Sequence, residues 1–521
     1  MTLYNWLLAL LPILVLVITI IGFRLNAPLA GTIALIVAGI IGFYFFGGNS
    51  FLLLVASAKG LSLSLFVLLI LWSALLMYNL MQHLGCIDVI GGLVNRTSKS
   101  QLGQALLLGW AFSGFIEGIA GFGVAVAVLA PMMLRLGFSP VTAAATVLVG
   151  HSWAVTFGAM GSAYYTIQLA TGIPSSDIGP VMAALFTLPI LTTGLCVAHI
   201  TGGWHSLREG ASAILVVGTV MSVCVLLATL LDAAQIASIV AGLAGSLAIW
   251  ILSKTSLLRE APDQDASSDV FVPPNRFSFH MAFLPYYILI FLTLLSQVPI
   301  VKQATDHLCW GVDFPGLRTS LGHVTPPVKD YAKICLLGHP ASLILASTII
   351  SAVVFRWTGH WKRGAALAAL KSTLRQCVVP SLGIVVMMMM ASIMDDTGMT
   401  SVLASSIANA TGLLFTIFSP YIGVLGCFMT GSNTNSNVMF GALQVETAKS
   451  LGVSSLVIAS IQSIGGSLGS SIAPAKVLIG SGGVGLGGRE GDIMRKTLGY
   501  CLTLVLLVGL MAYLITGIRL P

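Results

Sequence analysis

The sequence predicts an all-α polytopic membrane protein of about twelve transmembrane helices and two re-entrant hairpins, and three observations predict it. First, 57% of the 521 residues are hydrophobic and only 8% are charged, with a mean hydropathy of +0.99; soluble domains carry about 25% charged residues. Second, apolar stretches recur at the roughly 20-residue length that a helix needs to cross a bilayer. Third, two stretches, 105–135 and 413–450, are interrupted near their middle by glycine or by polar residues. Polar backbone survives at membrane depth only where protein or water surrounds it, so an interrupted stretch reads as a hairpin around a site. No space remains for a large soluble domain.

In chain order the predicted spans are Leu7–Ile21, Ala27–Phe46, Leu63–Met81, Val141–Ala170, Val181–Ile200, Ala213–Leu231, Ile236–Ile251, Met281–Ile300, Ala341–Phe355, Val378–Met394, Val457–Gly480 and Leu498–Thr516. Met1–Asn5 has no basic region and no small-residue cleavage site follows, so the first apolar segment is expected to be retained. Lys and Arg in short loops mark the cytoplasmic side. Arg24, Arg96 and Lys99, Arg135, Arg208, Lys254 with Arg259 and Arg276, the cluster from Arg356 to Arg375, and Arg489 to Lys496 share one side if both interrupted segments re-enter. Both termini then lie outside. The first hairpin opens from the cytoplasm and the second from the exterior, while the long loop Val301–Gly338 lies outside with Cys309 and Cys335, which makes a bridge between them feasible. Residues 364–375 carry apolar residues on one face and basic residues on the other, as an interfacial helix does.

The chain divides into an N-terminal half, 1–253, a soluble-like linker, 254–280, and a C-terminal half, 281–521. A shift of 313 residues matches Met81 to Met394, Gly85 to Gly398, Val89 to Val402, Phe115 to Phe428 and Gly118 to Gly431. Two further residues of shift align Leu136-Gly137 with Leu451-Gly452 and Gly150 with Gly465. The order of span, hairpin, Leu-Gly and Gly/Ser-rich span thus occurs twice. The span before each hairpin runs in opposite directions, so the repeats are expected to be inverted, as in secondary transporters.

Composition excludes other classes. The 24 basic residues and net charge of +7 are spread over span ends rather than gathered in a patch, so no nucleic-acid partner is expected. No Cys-x-x-Cys pair points to a metal or redox centre. Cys196, Cys224, Cys427 and Cys501 read as small buried hydrophobes. The run Gly480–Gly488 lacks the Gly-Lys-Ser/Thr ending of a phosphate-binding loop, and no nucleophile-base set appears, so an enzyme is not expected.

The polar residues within the apolar segments are the candidate site. In Ser113-Gly-Phe-Ile-Glu-Gly-Ile-Ala-Gly-Phe-Gly-Val124, Gly121 and Gly123 let backbone approach a ligand, and Glu117 places a carboxyl among apolar residues. Such a group costs about 2.5–3.5 kcal/mol to insert. It therefore reads either as a proton carrier or as a structural carboxyl. Thr430-Gly-Ser-Asn-Thr-Asn-Ser-Asn437 supplies hydroxyl and amide groups but no charge, suiting an anion held by oriented donors and helix N-termini. Lys476, after Pro474, either neutralises a substrate carboxylate or snorkels to the surface. His151 is a proton relay or a hydrogen-bonded structural residue. Asp395 and Asp396, at the end of a span, read as solvated, with a coupling role as the alternative.

Phe115–Gly123, Leu136-Gly-Phe-Ser-Pro140, Phe157-Gly-Ala-Met-Gly161, Ser419-Pro-Tyr-Ile-Gly423 and Phe428–Asn437 together resemble, in the same order, the signatures of the lactate permease family. The resemblance implies proton-coupled uptake of L-lactate, D-lactate, glycolate and similar 2-hydroxy monocarboxylates across a prokaryotic plasma membrane, and an elevator-like movement of the kind associated with paired hairpins and inverted repeats. Where the family is expected to carry Gly-Ser-Asp-Thr, this chain has Gly-Ser-Asn433-Thr. A neutral amide there keeps open a sodium-coupled carrier of another carboxylate or a sulfonate. The expected substrate ligands are Gly121, Gly123, Ser432, Asn433, Thr434, Asn435, Asn437 and Lys476, and the expected proton-coupling residues are Glu117 and His151. The expected partners are a small organic anion and the lipid bilayer. No cofactor is expected beyond the coupling ion, a proton or sodium, and the protein is expected to be a monomer or homo-oligomer.

Overall fold

Backbone polar groups find no water in hydrocarbon, so a spanning chain must satisfy them internally, and helices do so locally. The computed structural model describes residues 3–23, 25–87, 89–90, 100–121, 123–255, 258, 277–305 and 308–517. Among them twelve helices are long and apolar enough to cross a membrane. Most of the predicted linker, with Arg259 and Arg276, lies outside the described residues, as do Arg24, Arg96 and Lys99.

Both predicted hairpins form. The first arm runs through Gln101–Gln104, a π-helical Ala105–Ala111 and Phe112–Ala120. The chain turns at Gly121 and Gly123, with φ of 61° and 83°, which only glycine adopts without strain. Val124–Arg135 then folds back against Ala105–Ala111. At 1.5 Å per residue this return arm covers about 18 Å, short of the roughly 30 Å hydrocarbon core. The second hairpin pairs Phe415–Thr430 with Asn433–Leu451 through a left-handed Gly431. Its antiparallel register shows in Ser436 Oγ donating to the Gly423 carbonyl at 2.7 Å and Ser419 Oγ donating to Gln444 Oε1 at 2.6 Å.

Each hairpin is followed by a broken helix. The first comprises Pro140–Gly150, a 3-10 stretch His151–Phe157 and Gly158–Thr171, with left-handed backbone at Ala159, Met160 and Gly161. The second comprises Ser455–Gly469 and Pro474–Gly483, separated at 470–473. Gly150 packs against the backbone carbonyl of Gly109, and Gly465 against that of Pro420, so closely that a Cβ at either position would collide. Each glycine thus seats its broken helix on the first arm of its own hairpin. The two broken helices also meet, through Ser467 Oγ donating to the Ser152 carbonyl at 2.6 Å. These residues are 315 apart, the same offset that matches Gly150 to Gly465.

The structure changes several element boundaries. The helix predicted from Leu63 begins at Ser50 and runs to Leu84. Val181–Ile200 and Ala213–Leu231 belong to one helical run, Ser175–Leu230, bent at Gly202 and Gly203. The predicted interfacial helix is the first third of Ala365–Asp396. Met399–Thr411, which the hydropathy pattern misses, is a helix whose hydroxyls, such as Thr411 and Ser406, are absorbed by carbonyls four residues back. The loop after Thr305 contains four strands: β1 (Cys309–Phe314), β2 (Leu317–Arg318), β3 (Val324–Thr325) and β4 (Val328–Cys335). β1 pairs antiparallel with β4, with Cys309 opposite Cys335, and the two are disulfide-bonded. Phe314 and Leu317 pack on Leu52 and Val55, at the start of Ser50–Leu84.

The same end of that helix holds an ion pair that the charge pattern misassigns. Lys59 Nζ lies 3.0 Å from both carboxylate oxygens of Asp396, and the two residues are 4% and 3% exposed. Asp396 is therefore buried and paired rather than solvated; its neighbour Asp395 is the exposed one.

Candidate functional site

The tips of the two hairpins and the breaks of the two helices converge on one cleft, with about 330 Å³ of space including its open mouth. Hairpin one contributes Glu117 and Gly121, its broken helix contributes Gly158, Ala159 and Ser162, hairpin two contributes Gly431 to Thr434, and the second broken helix contributes Lys476. Three helices begin here, at Val124, Asn433 and Pro474, and a helix start carries a partial positive charge.

Two charged side chains line the cleft, and each sits where its own helix disfavours it. Glu117 lies near the C-terminal end of Phe112–Ala120, and Lys476 lies in the first turn of Pro474–Gly483. They satisfy each other, with Lys476 Nζ 3.0 Å from Glu117 Oε1 and both side chains at most 5% exposed. The snorkelling alternative for Lys476 is thereby corrected: its ammonium turns inward because a carboxylate waits there. Lys476 Nζ also lies 3.2 Å from His151 Nε2, while His151 Nδ1 lies 2.7 Å from the Val147 carbonyl. A carbonyl only accepts and an ammonium only donates. His151 is therefore the neutral tautomer with its proton on Nδ1, accepting from Lys476 through Nε2. Glu117 Oε2 is buried without a hydrogen-bond partner among the described residues.

The polar run of the second hairpin divides by helical face. Ser432 caps its helix, Oγ accepting from the Asn435 amide at 3.3 Å. Asn433 Nδ2 donates to Thr156 Oγ1 at 3.0 Å and to the Ser463 carbonyl at 3.2 Å. Thr434 Oγ1 faces Ser162 Oγ at 3.5 Å. Asn437, one turn on, donates to the Ala163 carbonyl and to Ser463 Oγ, both at 2.9 Å, so it ties the hairpin to both broken helices. The Oδ1 atoms of Asn433, Asn435 and Asn437 are buried and unpartnered among the described residues.

Of the predicted site residues, Glu117, Gly121, Ser432, Asn433, Thr434 and Lys476 line the cleft, and His151 reaches it through Lys476. Gly123 lies behind the Lys476 stem. Asn435 turns toward Gly383 of Ala365–Asp396, and Asn437 is spent on structural bonds; neither lines the cleft. Thr156 and Ser162 are the residues that sequence reasoning missed. A single hydroxyl in Ala154-Val-Thr-Phe157 carries no pattern to find it by.

A polytopic helical protein with a polar cleft between two hairpin tips has the build of a membrane transporter. The chain matches the L-lactate permease family over residues 5–519, and it belongs to that family. It is a multi-pass plasma-membrane transporter rather than an enzyme. The L-lactate permease of Escherichia coli (strain K12) is 28% identical over 470 residues, covering 86% of this chain and 84% of the relative. The L-lactate permease of Bacillus subtilis (strain 168) is also 28% identical, over 477 residues, covering 85% of this chain and 84% of the relative. The glycolate permease GlcA of E. coli (strain K12) is 27% identical over 543 residues, covering 98% and 96%. Among solved structures, the YdaH transporter of Alcanivorax borkumensis is similar at 17% identity and a TM-score of 0.45, covering 87% of this chain and 85% of that one.

Proposed function

We propose that this protein takes up small 2-hydroxy monocarboxylates, lactate and glycolate foremost, by proton symport. The observation that carries the reading is a buried ammonium, Lys476, in a cleft otherwise lined by uncharged residues and one carboxyl, Glu117. An ammonium suits one carboxylate, while Ser432, Asn433 and Thr434 lie beside it to meet a neighbouring hydroxyl. The named substrates of the relatives, L-lactate and glycolate, have this chemistry. Glu117 is the protonatable group in this reading, and His151, fixed by Val147, positions Lys476 instead of relaying the proton. An inverted-repeat, elevator-like cycle is supported by the twice-repeated hairpin and broken helix and by the Ser152–Ser467 contact between matched positions.

The test is uptake of labelled lactate into proteoliposomes under an imposed inward proton gradient. Accumulation above the outside concentration, abolished by a protonophore, is expected, and it also excludes a channel. The Oδ1 atoms of Asn433 and Asn437, without a partner among the described residues, favour a second reading, sodium coupling, because sodium takes oxygen ligands. Uptake that ignores the proton gradient and follows a sodium gradient would establish it.

Asn433→Asp probes the departure from the expected family pattern. A carboxylate would face the Ser463 carbonyl that Asn433 now donates to, and a buried acceptor left unmatched costs about 1–3 kcal/mol. Relative to wild type at the same pH, lactate exchange with equal pH on both sides is expected to fall roughly tenfold or more at alkaline pH, and this deficit is expected to close in acid, where the new carboxyl is protonated. A ratio of variant to wild-type exchange that does not change with pH would refute this assignment of the Asn433 amide.

A further inference from the structure

We infer that proton and anion are coupled through Lys476: the substrate carboxylate and the Glu117 carboxylate are rival counter-ions of one ammonium, and protonation of Glu117 is what yields it to the substrate. This rests on the reading of the cleft as a monocarboxylate site.

The argument begins with charge. Glu117 and Lys476 neutralise each other at 3.0 Å while almost fully buried. His151 adds no charge, because its hydrogen bonds fix it as the neutral tautomer. The Cys427 thiol also lies within electrostatic reach of Glu117 and Lys476, buried in the first arm of the second hairpin. A monocarboxylate entering alone would leave one uncompensated negative charge in a low-dielectric pocket, the arrangement such pockets disfavour most strongly. A monocarboxylate entering with one proton leaves the site neutral again.

Geometry places that proton. Glu117 Oε1 holds Lys476, and Oε2 is buried, without a hydrogen-bond partner among the described residues, and part of the residue that lines the cleft. Protonation at Oε2 converts Glu117 from a charged acceptor into a hydroxyl donor, and its hold on the ammonium weakens. Lys476 has three N–H groups. His151 keeps one and the substrate carboxylate takes those that face the cleft. The Lys476 ammonium keeps its charge throughout, and the proton that enters with the anion rests on Glu117 until both leave. Empty and doubly loaded sites are therefore both neutral and both free to move across the membrane, while the singly loaded site is not. Linkage is reciprocal, so lactate must raise the proton affinity of Glu117 as much as the proton raises lactate affinity.

The experiment is lactate binding to the purified wild type across pH, together with proton uptake on mixing in weak buffer. Wild type is expected to take up one proton per lactate, with Kd weakening about tenfold per pH unit on the alkaline side. Glu117→Gln is expected to bind lactate with a pH-independent Kd, to take up no proton and to lose gradient-driven accumulation. Lys476→Met is expected to lose lactate binding at every pH. Lactate binding by wild type without proton uptake would overturn the inference and leave the substrate reading intact. Glu117→Gln that elutes as a folded protein yet retains the wild-type pH dependence would also overturn it. Wild type that binds neither lactate nor glycolate at any pH would instead overturn the substrate reading.

Discussion

Lys59→Met is expected to destabilise the protein by about 3–5 kcal/mol, the typical effect of removing one partner from a buried ion pair. Lys59 and Asp396 lie on Ser50–Leu84 and Ala365–Asp396, which pack so closely that Gly60 touches the backbone of Met388 and Met389. Asp396 is 3% exposed, so removing Lys59 leaves its carboxylate buried without its counter-ion. The double variant Lys59→Met/Asp396→Leu is expected to regain most of the loss, because similar volume without charge incurs no desolvation penalty. Thermal unfolding in detergent is the measurement. A double variant as unstable as the single one would show that the pair acts through packing rather than charge.

Gly150→Ala and Gly465→Ala are expected to be the most damaging methyl additions in the hairpin-bearing regions. At both positions the added Cβ meets a backbone carbonyl, Gly109 or Pro420, rather than a flexible side chain. The broken helix must lift from its hairpin arm, and overpacking of this kind costs about 1–3 kcal/mol or more. Gly499→Ala, where nothing lies within 4 Å, is the control and is expected to be neutral or mildly stabilising, since alanine favours helix. Folded yield by size-exclusion chromatography separates the three. A folded Gly465→Ala protein with impaired uptake would place the damage in the hairpin's seating rather than in overall folding.

Much of the architecture was legible because membrane physics writes it in local composition. Long apolar runs must be helices, and an unbroken polar run such as Thr430–Asn437 must be sheltered, so the hairpins and their tips follow from the chain alone. Gly150 and Gly465, which the sequence offset matches, each pack against a backbone carbonyl, Gly109 or Pro420. Boundaries at charged residues were not legible. Asp396 reads locally as the solvated end of a span, and only Lys59, 337 residues away, explains its burial. Met399–Thr411 was lost because hydroxyls lower hydropathy even when the helix itself satisfies them.

The sequence by itself determined that this is a polytopic helical membrane protein with two sheltered hairpins, and it marked Glu117, Lys476 and the polar run as chemically expensive. Tertiary structure alone decided how those residues combine. It set Lys476 on Glu117 and His151, bridged Cys309 to Cys335, brought Thr156 to Asn433 and turned Asn435 away from the cleft. The physical reason is range: hydropathy and backbone freedom act over a few residues, whereas a buried charge is settled by whichever partner the fold brings within about 3–4 Å.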